Sequence, residues 1–195
     1  MHSKYDKATI AAVIIEAILV FSAVTSITQK NMKNLGLSLL AMVCTTIPFI
    51  ISYIARKKKI LLPNSFNLVS VLFIFSALYL GEINNYYIKY MWWDLLLHSF
   101  FGFYTVIILL HAMQGIIRRE IDVSKNRYLM FTIMIAFSFA ITLGTLWEMF
   151  EFTGDFIFKS GMIKGGLEDT ASDLLVKIAA ALSTSIYYYR KNRKT

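Results

Sequence analysis

Charge is what this chain has least of. Of 195 residues only 16% are Asp, Glu, Lys or Arg, while 57% are hydrophobic; a soluble domain carries about a quarter charged residues. An ordinary water-soluble domain is therefore excluded. Cysteine is nearly absent too: Cys44, alone in an apolar run, leaves no internal disulfide and no cysteine-built zinc site. The two prolines both fall early; Pro48 is expected to kink a helix and Pro63 to sit in a loop. The chain has no internal repeat, no low-complexity segment, no Gly-rich phosphate loop and no His-Glu-x-x-His signature. No Ser or Cys is visibly poised as a nucleophile. The formal net charge of +8 does not point to nucleic acid, because the basic residues form short flanks between apolar runs, the pattern of an anionic leaflet and the positive-inside bias.

What is present is a series of apolar stretches, each near the roughly 20 residues a spanning helix needs. Six are expected as helices, at about 8–28, 35–55, 66–81, 92–117, 129–152 and 171–189. The third is short for a span. The fold class is thus all-α: a polytopic membrane protein of six transmembrane helices, forming a single transmembrane domain over 1–195. Glu16 interrupts the first run, which is also long for a signal peptide and lacks a clear small-x-small cleavage site, so it reads as a retained span.

Lys and Arg set the orientation. With the N-terminus inside, the inner segments hold Lys4, Lys7, Arg56, Lys57, Lys58, Lys59, Arg118, Arg119, Lys125, Arg127, Arg190, Lys191, Arg193 and Lys194. The outer segments hold only Lys30, Lys33, Lys89, Lys159 and Lys164, and Lys177 lies inside the sixth helix. This asymmetry predicts an N-in/C-in arrangement with both termini cytoplasmic. Tyr86, Tyr87, Tyr90, Trp92 and Trp93 would belt the outer interface, and Tyr187 to Tyr189 the inner one.

The acidic residues are segregated in the opposite sense. Asp94, Glu148, Glu151, Asp155, Asp169 and Asp173, with His98, gather where the fourth helix starts, the fifth ends and the sixth starts. Ionisable groups within spans are costly and mark working sites. Asp94 and His98 are one turn apart on one face, so the carboxylate can orient the imidazole, raise its basicity or share a cation with it; the alternative is a helix-start Asp beside a packed His. Glu148, Glu151 and Asp155 line one stripe, and two carboxylates in hydrocarbon need a cation or a shared proton. Asp155, the weakest candidate, also fits a solvated helix end. Trp147, Met149, Phe150 and Phe152 would face lipid or neighbouring helices. Asp169 is open to reading as an N-cap, while Asp173 lies inside its helix with Lys177 one turn on as a potential partner. Segment 155–170, carrying Gly161, Gly165 and Gly166, reads as a loop able to cover this end. Outside the group, His111 reads as a packed histidine, Glu82 as interfacial, and Glu16 as paired with another helix or protonated.

One imidazole among carboxylates is a hard, oxygen-rich donor set. It suits a divalent metal ion such as Mg²⁺, Mn²⁺, Ca²⁺ or iron, with zinc a further option. The candidate ligands are Asp94, His98, Glu148, Glu151, Asp169 and Asp173, with Asp155 behind them, and Glu148 or Glu151 is the candidate general base.

Three of these segments, Trp-Asp-Leu-Leu-Leu-His (93–98), Glu-Met-Phe-Glu (148–151) and Asp-Thr-Ala-Ser-Asp (169–173), resemble the motifs of the YjdF-like bacterial inner-membrane proteins. The resemblance covers residues 81–182. A looser similarity links the Asp-x-x-x-His helix start and the late Asp-x-x-x-Asp to VanZ-like proteins, though Glu151 stands where that family has Gln. The resemblance implies a multi-helix protein of the bacterial cytoplasmic membrane and supports the choice of residues; it brings no reaction. Three functions stand open: a metal-dependent enzyme acting on a lipid or lipid-linked envelope substrate, a non-catalytic membrane module that docks a partner, and a proton- or cation-coupled transporter. The transporter lacks an inverted repeat, a broken helix pair and charges continuing to the inner face.

Overall fold

A computed structural model describes residues 6–117, 120, 122–158 and 166–193, and all regular structure among them is helical. The chain divides into two compact units, 1–93 and 94–195.

The first unit holds α1 (Lys7–Thr28), α2 (Met32–Lys57) and α3 (Phe66–Ile74), which runs on as a π-helix over Phe75–Ile83, then the short α4 (Tyr86–Lys89). Ile15 and Leu19 of α1, Ala41 of α2 and Val71 of α3 form its core. Small polar residues join the helices: the Ser22 and Ser38 hydroxyls lie 2.9 Å apart, and Ser52 bonds Asn67. Glu16 also finds its partner here, the Thr45 hydroxyl of α2. Hydrogen bonds of this kind hold helices together where lipid offers none. Pro48 lies buried within α2, which continues on both sides of it.

Two helix ends in this unit use lysine where glycine is usual. Lys30 and Lys59 adopt φ of 56° and 57°. In each case the next residue reaches back, Asn31 N–H to Ser26 C=O and Ile60 N–H to Ala55 C=O, both at 2.9 Å. That is a Schellman closure, whose left-handed residue is normally Gly. The expected end of the third helix at 81 moves to Ile83 because the wider π turns extend it. Gly81 permits this by letting the Tyr87 ring lie against its backbone, where a Cβ would collide.

The second unit is built from α5 (Met91–Ile116), α6 (Lys125–Phe158) and α7 (Leu167–Arg193). Val106, Leu110 and Met113 of α5, Ile133, Ala136 and Ala140 of α6, and Ala181 of α7 form its core. Towards the same end, Gln114 donates to the Tyr188 hydroxyl at 2.9 Å, and Tyr128 donates to the Ile117 carbonyl at 2.7 Å. His111 is packed as expected, its Nδ1 2.8 Å from the Ile107 carbonyl. The large apolar side chains that do not face the core, among them Phe131, Phe139, Phe150 and Phe152, are exposed, as lipid-facing residues are. Trp147, Met149 and Phe156 continue that surface.

Among the described residues, five helices are long and apolar enough to cross a membrane: Lys7–Thr28, Met32–Lys57, Phe66–Ile83, Met91–Ile116 and Lys125–Ile157. The expected sixth, α7, does not meet the same measure, since Glu168, Asp169, Asp173 and Lys177 occupy its first three turns. The expected 155–170 loop is also shorter than its sequence implied. Helix α6 carries Asp155 and continues to Phe158, α7 resumes at Leu167, and Gly161 and Gly165 lie outside the described residues.

Candidate functional site

Helices α5 and α7 both run antiparallel to α6, and a four-residue step along each brings their inward positions into register. One layer contains His98, Glu148 and Asp173. One turn deeper, Gly102, Gly144 and Lys177 form the next, and Val106, Ala140 and Ala181 the one below. His98, Glu148, Asp173 and Lys177 are all buried, with 8%, 4%, 2% and 3% of their surface exposed. Burial of that degree makes every polar partner matter, because an unpaired charge here has no water to fall back on.

His98 is the hub. Its Nε2 lies 3.1 Å from Asp94 Oδ1 and 3.5 Å from Asp173 Oδ2. Its Nδ1 faces Glu148 Oε1 at 3.9 Å, too far for a hydrogen bond. Asp94 sits in the first turn of α5, and the one-turn spacing read from the sequence does place it over His98. A single Nε2–H can satisfy only one of the two aspartates crowding that nitrogen. Asp173 Oδ1 has no hydrogen-bond partner among the described residues.

Glu148 has a different partner from the one its neighbours share. Lys177 hydrogen-bonds Glu148 Oε1, so the lysine reaches across to α6 instead of pairing with Asp173 along its own helix. Two glycines make the slot for it. A Cβ on Gly102 would collide with the Lys177 backbone carbonyl oxygen and lie 3.0 Å from Lys177 Cα, and one on Gly144 would lie 3.2 Å from Lys177 Cδ. Helices α5 and α7 can therefore approach to backbone contact, and the lysine stem is held in a defined direction. Glu151 accepts a 2.8 Å hydrogen bond from the Trp147 indole N–H. Trp147, expected to face lipid or a neighbouring helix, thus also fixes a carboxylate.

Two sets of three donors come close enough to hold a metal ion, Asp94–His98–Asp173 and His98–Glu148–Glu151, each with ligand atoms within 4.8 Å of one another. Of the residues picked from the sequence, Asp94, His98, Glu148, Glu151 and Asp173 are therefore brought together. Asp155 and Asp169 fall outside both sets. Asp169 is not an N-cap but lies in the first turn of α7, where the helix dipole favours an acid. Sequence reading missed Lys177 as the partner of Glu148, and Gly102 and Gly144 altogether. The signal was there in the register: each is one turn from a site residue on its own helix.

A protein from Thermotoga maritima described as uncharacterized is 28% identical over 141 residues, which is 71% of this chain and 65% of the relative. The chain thus spans slightly less than two thirds of that relative's length. No solved structure matches. The family described as "Predicted membrane protein (DUF2238)" matches over residues 9–194, nearly the whole length, and the chain belongs to it.

Proposed function

We propose that this membrane protein binds one divalent metal ion at Asp94, His98 and Asp173, and uses it to hydrolyse a lipid or lipid-linked envelope substrate. The observation that carries the reading is the unpartnered Oδ1 of buried Asp173, in a carboxylate whose Oδ2 already crowds His98 Nε2 together with Asp94. Spacings of 3.1 and 3.5 Å match the ligand-to-ligand edges, about 3 Å, around an ion bound at roughly 2.0–2.4 Å. Two carboxylates and an imidazole suit Mn²⁺, Mg²⁺, Fe²⁺ or Zn²⁺ and leave coordination positions for substrate and water.

A metal in that position would supply Lewis-acid activation of water or charge neutralisation of a phosphate. The protein's own groups do the rest. We assign the general base to Glu151, whose carboxylate accepts from the Trp147 indole N–H and is only partly buried, so that it would take a proton from attacking water. Glu148 is held and neutralised by Lys177 and lies 3.9 Å from His98 Nδ1, closing off the far side of the ring. Asp94 is the more accessible ligand, with a quarter of its side chain exposed. An apolar outer surface beside a buried polar cluster favours a substrate that arrives from the bilayer.

In this reading α7 is the sixth span, its buried Asp173 and Lys177 belonging to the polar cluster and its basic end, Arg190 to Arg193, at the cytoplasmic surface. Both termini are then cytoplasmic and the cluster opens to the outer side of a bacterial inner membrane, as the Lys and Arg asymmetry and the YjdF-like motifs imply. Elemental analysis of the purified protein tests the core of it: about one divalent ion per chain is expected, lost in His98→Ala and Asp173→Asn. Metal-free protein after gentle purification refutes the reading. With metal present, hydrolysis of polyprenyl phosphates or phospholipids should vanish in Glu151→Gln while the metal stays. Reporter fusions at the α6–α7 connection should report the outer side.

A further inference from the structure

The proposed metal uses one nitrogen of His98. The other, Nδ1, faces Glu148 Oε1 at 3.9 Å, and His98 with Glu148 and Glu151 makes up the second donor set. Two donor sets sharing an imidazole have the layout of a paired-ion site, in which a second cation would neutralise the second set of carboxylates. Here a cation is already there. Lys177 hydrogen-bonds Glu148 Oε1, the same oxygen that faces His98. Its stem lies against Gly144 and its backbone against Gly102, so the amine is not a flexible chain that happened to find an acid. It is built into the layer below the histidine and is only 3% exposed.

We propose that Lys177 is a tethered second cation. The cluster takes one exchangeable divalent ion, at Asp94–His98–Asp173, and the lysine ammonium permanently fills the position that His98, Glu148 and Glu151 would otherwise offer to another. This rests on the metal reading above. Removing the amine strands the buried Glu148 carboxylate beside that of Glu151, an arrangement that favours recruiting a cation or a proton. The chain then makes a prediction that a merely structural ion pair would not: loss of a positive side chain increases the number of metal ions bound.

The test is equilibrium Mn²⁺ binding to the full-length protein in detergent, read by metal content and by electron paramagnetic resonance. Wild type and Lys177→Arg should each bind a single, magnetically isolated Mn²⁺. Lys177→Gln should bind twice as much, with a spectrum broadened by coupling between neighbouring ions. Wild type and Lys177→Gln binding the same single equivalent overturns the tethered cation while leaving the metal reading intact. Wild type binding none overturns both. Should Lys177→Gln not fold, the neutral pair Glu148→Gln/Lys177→Met decides. Retention of the single Mn²⁺ supports the assignment of two positions; its loss shows that Glu148 belongs to the exchangeable ion and overturns it.

Discussion

Breaking the Glu148–Lys177 pair from either side should be among the most damaging changes this protein can suffer, and removing both charges together should be far milder. The two side chains are 4% and 3% exposed, so the solvent screening that makes surface pairs nearly worthless does not apply. Removing one partner of a buried pair costs about 3–5 kcal/mol because it strands the other. The two singles should not be equal. Glu148→Gln keeps a side-chain carbonyl that can still accept from the Lys177 amine, which puts that variant near the lower figure. Lys177→Met leaves the Glu148 carboxylate facing His98 Nδ1 at 3.9 Å, beyond hydrogen-bonding reach, and belongs near the upper one. The double variant Glu148→Gln/Lys177→Met holds no stranded charge and keeps the volume, so it should lose no more than about 1–2 kcal/mol. SDS titration of the detergent-solubilised variants, followed by far-ultraviolet circular dichroism, gives the double-mutant cycle directly. Singles that each cost under about 1 kcal/mol, or a double equal to their sum, would refute the claim that this pair is dry and mutually dependent.

The glycine slot predicts that Gly102→Ala, whose Cβ would sit 3.0 Å from Lys177 Cα, costs about 1–3 kcal/mol by overpacking. Gly36→Ala, with nothing within 4 Å of the new Cβ, should instead stabilise α2 by up to about 1 kcal/mol; the two thermal melts should move in opposite directions. Lys59→Gly at φ 57° should raise stability by about 1 kcal/mol through relief of the left-handed strain, seen as a higher melting temperature with unchanged metal content. Thr45→Val removes the hydroxyl that meets Glu16 and should cost about 1–2 kcal/mol. Ser185→Ala deletes a hydroxyl that is buried without a partner among the described residues, and its melting point should stay level or rise.

Much of the architecture was legible because lipid leaves a chain few options. With backbone groups satisfied only within helices, each long apolar run announced its element, and four predicted ranges fall within a few residues of α1, α2, α5 and α7. Segment 155–170 looked like loop from its glycines and charges, yet Asp155 and Thr153 continue α6, with the Thr153 hydroxyl donating back to the Met149 carbonyl at 2.7 Å. The π turns of 75–83 leave no composition signal, since they change hydrogen-bond spacing and not residue type. At the site, i to i+4 spacing on a single helix was enough to pair Asp94 with His98. It was not enough for Lys177, whose nearest acid in sequence, Asp173, is not the one it meets.

That last miss shows how the site has to be read. Along one helix, Asp173 and Lys177 look like a self-compensating pair, which would remove both from any functional cluster. Across three helices they separate into adjacent layers: Asp173 rises to crowd His98 beside Asp94, while Lys177 drops between Gly102 and Gly144 to reach Glu148. The lysine therefore neutralises the carboxylate on the far side of His98 and leaves the two aspartates on the near side without a counter-ion of their own. A buried imidazole shared by two aspartates carries more negative charge than one proton can balance. A cluster that only held helices together would not need Lys177, the one buried lysine among the described residues, on one side with the other uncompensated. The asymmetry, more than the number of acids, is what supports the proposed binding at Asp94, His98 and Asp173.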